Sequence, residues 1–174
     1  MADSDDPVIR PGDARDACAL SELAKRTWAE AFGWSVDAAD AQAELERHRS
    51  EASFRDSLAG GGILVAELDG ELVGYAQFGP ADIPEVADRP GGAVHRMYVD
   101  GPYQRRGIGT RLLTVALAQP ELAAASRVYL QVWEENPGAI RFYARFGFRT
   151  IGRTRFTIGD GAVLEDLVME RPAQ

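Results

Sequence analysis

The segment from Val94 to Leu113, V-H-R-M-Y-V-D-G-P-Y-Q-R-R-G-I-G-T-R-L-L, limits the fold more than any other part of the chain. Its β-branched and aromatic residues from Val94 to Val99 read as a strand, which Asp100-Gly101-Pro102 ends with a turn. From Gly107 onward the apolar residues Ile108, Leu112, Val115 and Leu117 suit a helix. A strand therefore runs through a short basic loop, Gln104-Arg105-Arg106-Gly107-Ile108-Gly109, into a helix. Gly107 and Gly109 carry no Cβ, so a ligand can come close to the backbone. The N–H groups and the dipole of the helix start favour an anion there, and Arg105 and Arg106 add charge. The chemistry this suits is a pyrophosphate cradle.

Two common phosphate loops do not fit. A P-loop needs Gly-Lys-Ser/Thr at the helix start, and the chain has none. A dinucleotide loop needs G-x-G-x-x-G/A, but Leu112 holds the third position and the loop comes late in the chain. What remains is Q-x-x-G-x-G. A second segment, Trp133 to Arg149, reads W-E-E-N-P-G-A-I-R-F-Y-A-R-F-G-F-R. Asn136 is a good helix N-cap, Pro137 suits the first helical position, and Gly147 stops the helix. Ala139 and Tyr143 are four apart, so they share a helix face.

These two motifs together resemble the GNAT superfamily of N-acetyltransferases. That family carries Gln/Arg-x-x-Gly-x-Gly/Ala at its acetyl-CoA loop and N-x-x-A-x-x-x-Y-x-x-x-G-F beside the cofactor thiol. The likeness spans Val8 to Glu170. It is nearest to bacterial spermine/spermidine-type acetyltransferases, through Thr27–Gly33, Leu72–Ala76, Val132–Tyr143 and Asp166–Glu170. The resemblance implies acetyl-CoA as co-substrate and no metal. It places Met97, Tyr98, Val99, Gln104, Arg105, Arg106, Gly107, Ile108, Gly109, Thr110, Asn136, Ala139 and Tyr143 at the cofactor. Tyr143 would protonate the departing thiolate. Trp28, Phe32, Trp34, Phe54, Tyr75 and Glu134 become candidates for the acceptor pocket. The glutamate that many family members carry on the central strand is missing. Imidazole titrates near neutrality, so His95 is a candidate base, on the strand face of Met97 and Val99 and opposite Arg96 and Tyr98. A water chain to Glu30, Glu134 or Glu135 is the other route for the proton.

A chain of 174 residues suits one domain, expected over residues 7–172 after a loose tail at 1–6. A net charge of −8 argues against nucleic acid as a partner and favours cationic substrates. Cys18 is the only cysteine, so no intramolecular disulfide exists and a reducing cytoplasm is expected. Cys18 itself reads as a small packing residue. The acidic start is unlike a signal peptide, and no apolar run reaches transmembrane length, so no membrane partner is expected.

The fold expected is α/β (α+β): a GNAT-like mixed, mostly antiparallel seven-stranded sheet flanked by about four helices, ordered β-α-α-β-β-β-α-β-α-β-β. Strands are expected at Val8–Arg10, Ile63–Leu68, Glu71–Phe78, Val94–Val99, Arg127–Trp133, Phe148–Thr157 and Ala162–Glu170, with turns at Asp69-Gly70 and Gly159-Asp160-Gly161. A first helix starts at the Asp13 cap and stops at Gly33, with Ala17, Leu20, Ala24, Thr27 and Ala31 on one face. A second runs from Val36 to Arg49 with Ser35 as cap. Glu51–Gly62 fits either a helical turn or a loop. Further helices follow the basic loop to about Ala118 and span Gly138–Phe146, with a short turn at Leu122–Ala125. The function implied is acetyl transfer from acetyl-CoA to a primary amine, with a small molecule such as a polyamine as acceptor. Acetylation of protein N-termini or lysines, or acyl-CoA binding without catalysis, are the alternatives, and a homodimer is possible.

Overall fold

The computed structural model describes residues 6–33, 37–158 and 162–172. Seven strands form a mixed sheet in the order β1-β2-β3-β4-β5-β7-β6. They are β1 (Val8–Pro11), β2 (Ile63–Leu68), β3 (Glu71–Pro80), β4 (Gly92–Val99), β5 (Arg127–Trp133), β6 (Arg149–Ile158) and β7 (Ala162–Pro172). The helices are α1 (Ala17–Phe32), α2 (Ala38–Arg49), α3 (Glu51–Gly60), α4 (Ile108–Leu117), the single turn α5 (Pro120–Ala123) and α6 (Pro137–Arg145). The residues cluster into two compact units, one from Met1–Gln77 with Arg96–Ala116, the other from Phe78–His95 with Leu117–Gln174.

In the first unit β1, β2 and β3 pair antiparallel. Asp69 and Gly70 join β2 to β3 with φ of 51° and 82°, the two left-handed residues that a tight hairpin turn needs. The core gathers Leu20, Leu23 and Ala24 of α1, Phe54 of α3, Ile63 and Val65 of β2, and Tyr75 of β3. Asp13 caps a short 3-10 turn, Ala14–Asp16, ahead of α1 rather than α1 itself. Asp16 returns the bond by accepting the Asp13 N–H at 2.8 Å, and Arg10 ties its carboxylate to β1. The buried stripe of α1 holds Ala17, Leu20, Ala24 and Thr27 as the spacing predicts. Cys18, expected to pack, is exposed instead. It sits one residue, about 100°, round the helix from Ala17.

Two boundaries differ from expectation. The cap of α2 is Asp37, whose Oδ1 accepts the N–H groups of Ala39 and Asp40 at 2.9 and 3.0 Å. A carboxylate two residues nearer the helix outcompetes the expected Ser35, which lies outside the described residues along with Val36. The undecided stretch after α2 is a full helix, α3. Ser50 ends α2 and begins α3, its Oγ accepting the Ser53 N–H at 3.3 Å, and Phe54 buries the new helix in the core. The expected turn at Leu122–Ala125 is the helix turn Pro120–Ala123, because Pro120 takes the first helical position.

In the second unit Gly92–Val94 of β4 pair parallel with Val128–Leu130 of β5. β7 runs antiparallel between β5 and β6. The expected Gly159–Gly161 turn lies outside the described residues. Ile83, Val86, Ala93, Tyr129 and Val168 make the core. Glu170 of β7 is 1% exposed and carries a charge into that interior. Arg127 of β5 reaches it at 2.8 Å, Arg149 of β6 at 3.5 Å, and Arg89 at 3.9 Å. Removing the charge leaves three arginines that water already reaches, and a buried amide that keeps only a weaker hydrogen bond to Arg127. Glu170→Gln is expected to cost about 1 kcal/mol of stability, read as a lower urea midpoint with an unchanged slope.

Candidate active site

The basic loop belongs to the first unit. Asp100, buried at the end of β4, donates its N–H to the Val73 carbonyl at 2.9 Å and accepts the Gly101 N–H at 3.1 Å. Arg26 of α1 binds its carboxylate through two hydrogen bonds, of 3.1 and 2.7 Å. Gly101–Tyr103 then makes one 3-10 turn. The Gln104 side chain folds back and donates to the Val99 carbonyl at 2.9 Å. The motif's glutamine therefore closes the loop, leaving any cofactor contact to its backbone.

Beyond it Arg105 has φ 62° and Gly107 has φ 83°. Alternating left-handed residues turn successive N–H groups toward one side, a geometry that binds anions. A side chain at 107 would strain that turn. The Gly107 carbonyl accepts the Arg111 N–H at 3.0 Å as α4 begins. The N–H groups of Ile108, Gly109 and Thr110 precede that bond, where a helix leaves donors for a ligand. Ile108 is buried and anchors the loop, while Gln104, Arg105, Arg106, Gly107 and Thr110 are exposed. Arg106 lies over the Tyr103 ring at 5.5 Å.

On β4, Tyr98 packs on the α1–α3 core, whereas Val99 lies with Leu112 of α4 against Gly74. Met97 is half-buried. The described acceptor-pocket candidates of the first unit form two aromatic pairs, Phe54 with Tyr75 and Trp28 with Phe32. Phe54 and Tyr75 are core residues, Trp28 is buried, and Phe32 is half-buried against Trp28 with ring centroids 5.8 Å apart. Trp34 lies outside the described residues. The Tyr75 ring meets Phe54 edge-on at 5.7 Å and stacks on Tyr98 at 5.8 Å. Its hydroxyl is buried with no hydrogen-bond partner among the described residues.

In the second unit, Asn136 caps α6 by accepting the Ala139 N–H at 3.0 Å. Its side chain sets the helix start. Tyr143 is buried, with Phe142 at 5.2 Å and Phe148 at 6.0 Å between ring centroids. At the helix end Gly147 has φ 84°, its N–H reaches the Ala144 carbonyl at 3.0 Å, and the Phe148 N–H reaches the Tyr143 carbonyl at 3.2 Å. This is a Schellman motif, and the ring contact between Phe148 and Tyr143 is the apolar contact that accompanies it. The spacing from asparagine to tyrosine to Gly-Phe thus specifies both ends of one short helix and fixes the tyrosine between them. His95 is exposed, and its Nε2 lies beside Gly79.

Glu134, expected in the acceptor pocket and as a proton route, stands in an ion-pair cluster open to solvent. It accepts from Arg153 at 2.7 Å, and Arg153 and Arg155 both bind Glu165. Asp166, across from Trp133 in the β5–β7 ladder, is a titratable group the sequence did not single out. Burial pushes its carboxyl up to about 6. The closing D-L-V-M-E carries no spacing that reveals such burial. Its pKa is raised on folding, so Asp166 weakens the fold as pH rises from about 4 to 6 and adds nothing below that range. Asp166→Asn is expected to raise stability by about 2 kcal/mol at pH 7.5 and to leave it unchanged at pH 3.5. Urea unfolding at the two pH values checks this.

Comparison with known proteins adds a family. The profile described as "Acetyltransferase (GNAT) family" matches residues 20–148. Over 103 residues the chain is 36% identical to the spermine/spermidine N(1)-acetyltransferase of Bacillus subtilis (strain 168), covering 57% of this chain and 66% of that one. Over 103 residues it is also 36% identical to the N-alpha-acetyltransferase of Sulfurisphaera tokodaii, covering 56% and 62%. The fold matches the crystal structure of the PaiA N-acetyltransferase from Thermoplasma acidophilum in complex with coenzyme A, with a TM-score of 0.75 at 20% identity over 99% of both chains.

Proposed function

The chain belongs to the acetyltransferase (GNAT) family, and we propose that it moves the acetyl group of acetyl-CoA directly to the primary amine of a small molecule. The observation that carries this reading is the pair of left-handed residues, Arg105 and Gly107, immediately ahead of α4. Their geometry suits a pyrophosphate held by backbone N–H groups, with Arg105 and Arg106 supplying charge. Acetyl-CoA supplies the activated acetyl group. Backbone N–H around Met97 to Val99 holds the pantetheine arm and polarises the thioester carbonyl.

Tyr143 gives its phenolic proton to the departing thiolate as the C–N bond forms and the C–S bond breaks. A phenol suits this step because its proton is held near pH 10 until an acceptor of that strength appears. The attacking amine must first lose a proton. His95, exposed on β4, a water chain to Glu30, Glu134 or Glu135, and Asp166, whose carboxyl burial pushes up to about 6, are the routes for that proton. Likeness to the Bacillus subtilis enzyme supports a polyamine as the first acceptor to try. Likeness to the Sulfurisphaera tokodaii enzyme supports the second reading, acetylation of protein N-termini.

Free-thiol release from acetyl-CoA across polyamines, amino acids and short peptides tests the reading. One amine class is expected to accelerate release clearly over a no-acceptor control. No acceleration by any, with acetyl-CoA still bound, would point to a binding domain. Tyr143→Phe is expected to lower kcat about 100-fold with acetyl-CoA affinity unchanged. Gly107→Val is expected to weaken acetyl-CoA binding about tenfold or more by calorimetry, because a β-branched residue resists φ above zero.

A further inference from the structure

Arg96 stands in the middle of β4, between Val94 and Tyr98, where a strand usually carries an apolar residue. Strand alternation puts it on the face of Tyr98, toward the core of the first unit. Its Nη1 donates to the His48 carbonyl at 2.9 Å, one of the carbonyls that α2 leaves open at its C-terminus. The neighbouring Arg49 is buried, with its side chain 7% exposed. It lies over the Trp28 ring at 5.2 Å and donates to Glu44 at 2.9 Å. Among the described residues its Nε has no hydrogen-bond partner. Tyr75, fully buried, contributes a second polar atom without a partner among them, its hydroxyl.

The charges do not balance. Arg49 and Arg96 face one carboxylate, Glu44, which also lies 3.8 Å from His48. Burial, and then the nearness of Arg49, holds the Arg96 guanidinium below its ordinary basicity. Burial pushes the Tyr75 phenol up, so it stays protonated and able to donate. Two arginines, a phenol and one carboxylate leave one positive charge and two unused donors in a place shielded from water. A buried cation without a counter-charge is costly, and the group that relieves the cost is an anion.

We propose that Arg49, Arg96 and the Tyr75 hydroxyl form a subsite for a carboxylate carried by the amine acceptor. The inference rests on the acetyl-transfer reading and narrows its substrate class. A carboxylate matches a single excess charge, whereas a doubly charged phosphate would overbalance it. Its two oxygens suit the planar N–H fork of arginine. A bare polyamine brings only positive charge to the same place. The acceptor is therefore an amino acid, or a peptide with a carboxylate near its amine.

Matched pairs decide it. L-lysine and cadaverine, and L-phenylalanine and phenethylamine, are titrated by calorimetry into the protein saturated with CoA. The carboxylate member is expected to bind at least about tenfold more tightly. Arg96→Gln is expected to abolish that preference, and Tyr75→Phe to reduce it, with CoA affinity unchanged. Arg96→Lys, which keeps the charge, should retain part of it. Equal or tighter binding of the decarboxylated amines to the unaltered protein overturns the proposal, whether or not a variant folds. Carboxylate preference without any thiol release from acetyl-CoA would instead sink the acetyl-transfer reading and leave the subsite standing.

Discussion

Arg26 grips Asp100 through two charge-assisted hydrogen bonds, and the geometry of the basic loop follows from that grip. The carboxylate is nearly excluded from water, so the pair is worth more than an ion pair on the surface. Asp100 stays in register with β3 through the Val73 carbonyl and starts the turn through the Gly101 N–H. Gln104 then closes the loop onto Val99. Arg105 and Gly107 can hold their left-handed conformations because both ends of the loop are already set. An arginine on the first helix thereby helps set a backbone conformation about eighty residues later.

The second unit shows the same economy. Glu170 draws Arg127 and Arg149 together across β5, β7 and β6, so one buried carboxylate ties three strands. Asn136 and Gly147 bound α6 so closely that Tyr143 has almost no freedom of placement. Local hydrogen bonding at helix ends does here what a large hydrophobic interface does in the first unit.

Features set by neighbours in sequence were readable from it. The Asn136 cap, the Gly147 stop, the Asp69-Gly70 turn and the strand–loop–helix around Gly107 depend on residues at most a few positions apart. Features set by distant partners were not. Glu51–Gly60 shows no strong apolar periodicity, and it becomes a helix where Phe54 and Leu58 meet the α1 core. The pairing of Glu134 with Arg153 comes from β6, nineteen positions on, and no local spacing announces it. The Tyr75 ring is buried in the α1–α3 core, and that burial depends on partners far away in sequence. Arg49 and Arg96 lie 47 positions apart, and no spacing rule links a helix end to the middle of a strand.

The Schellman motif that ends α6 has a consequence for inheritance. The backbone bonds of Gly147 and Phe148 hold the last turn of α6, on which Tyr143 stands. A substitution at Gly147 would displace the Tyr143 ring while leaving the tyrosine itself in the gene. A lineage drifting at this helix end would have to keep Tyr143, Gly147 and Phe148 together to hold the ring where it stands.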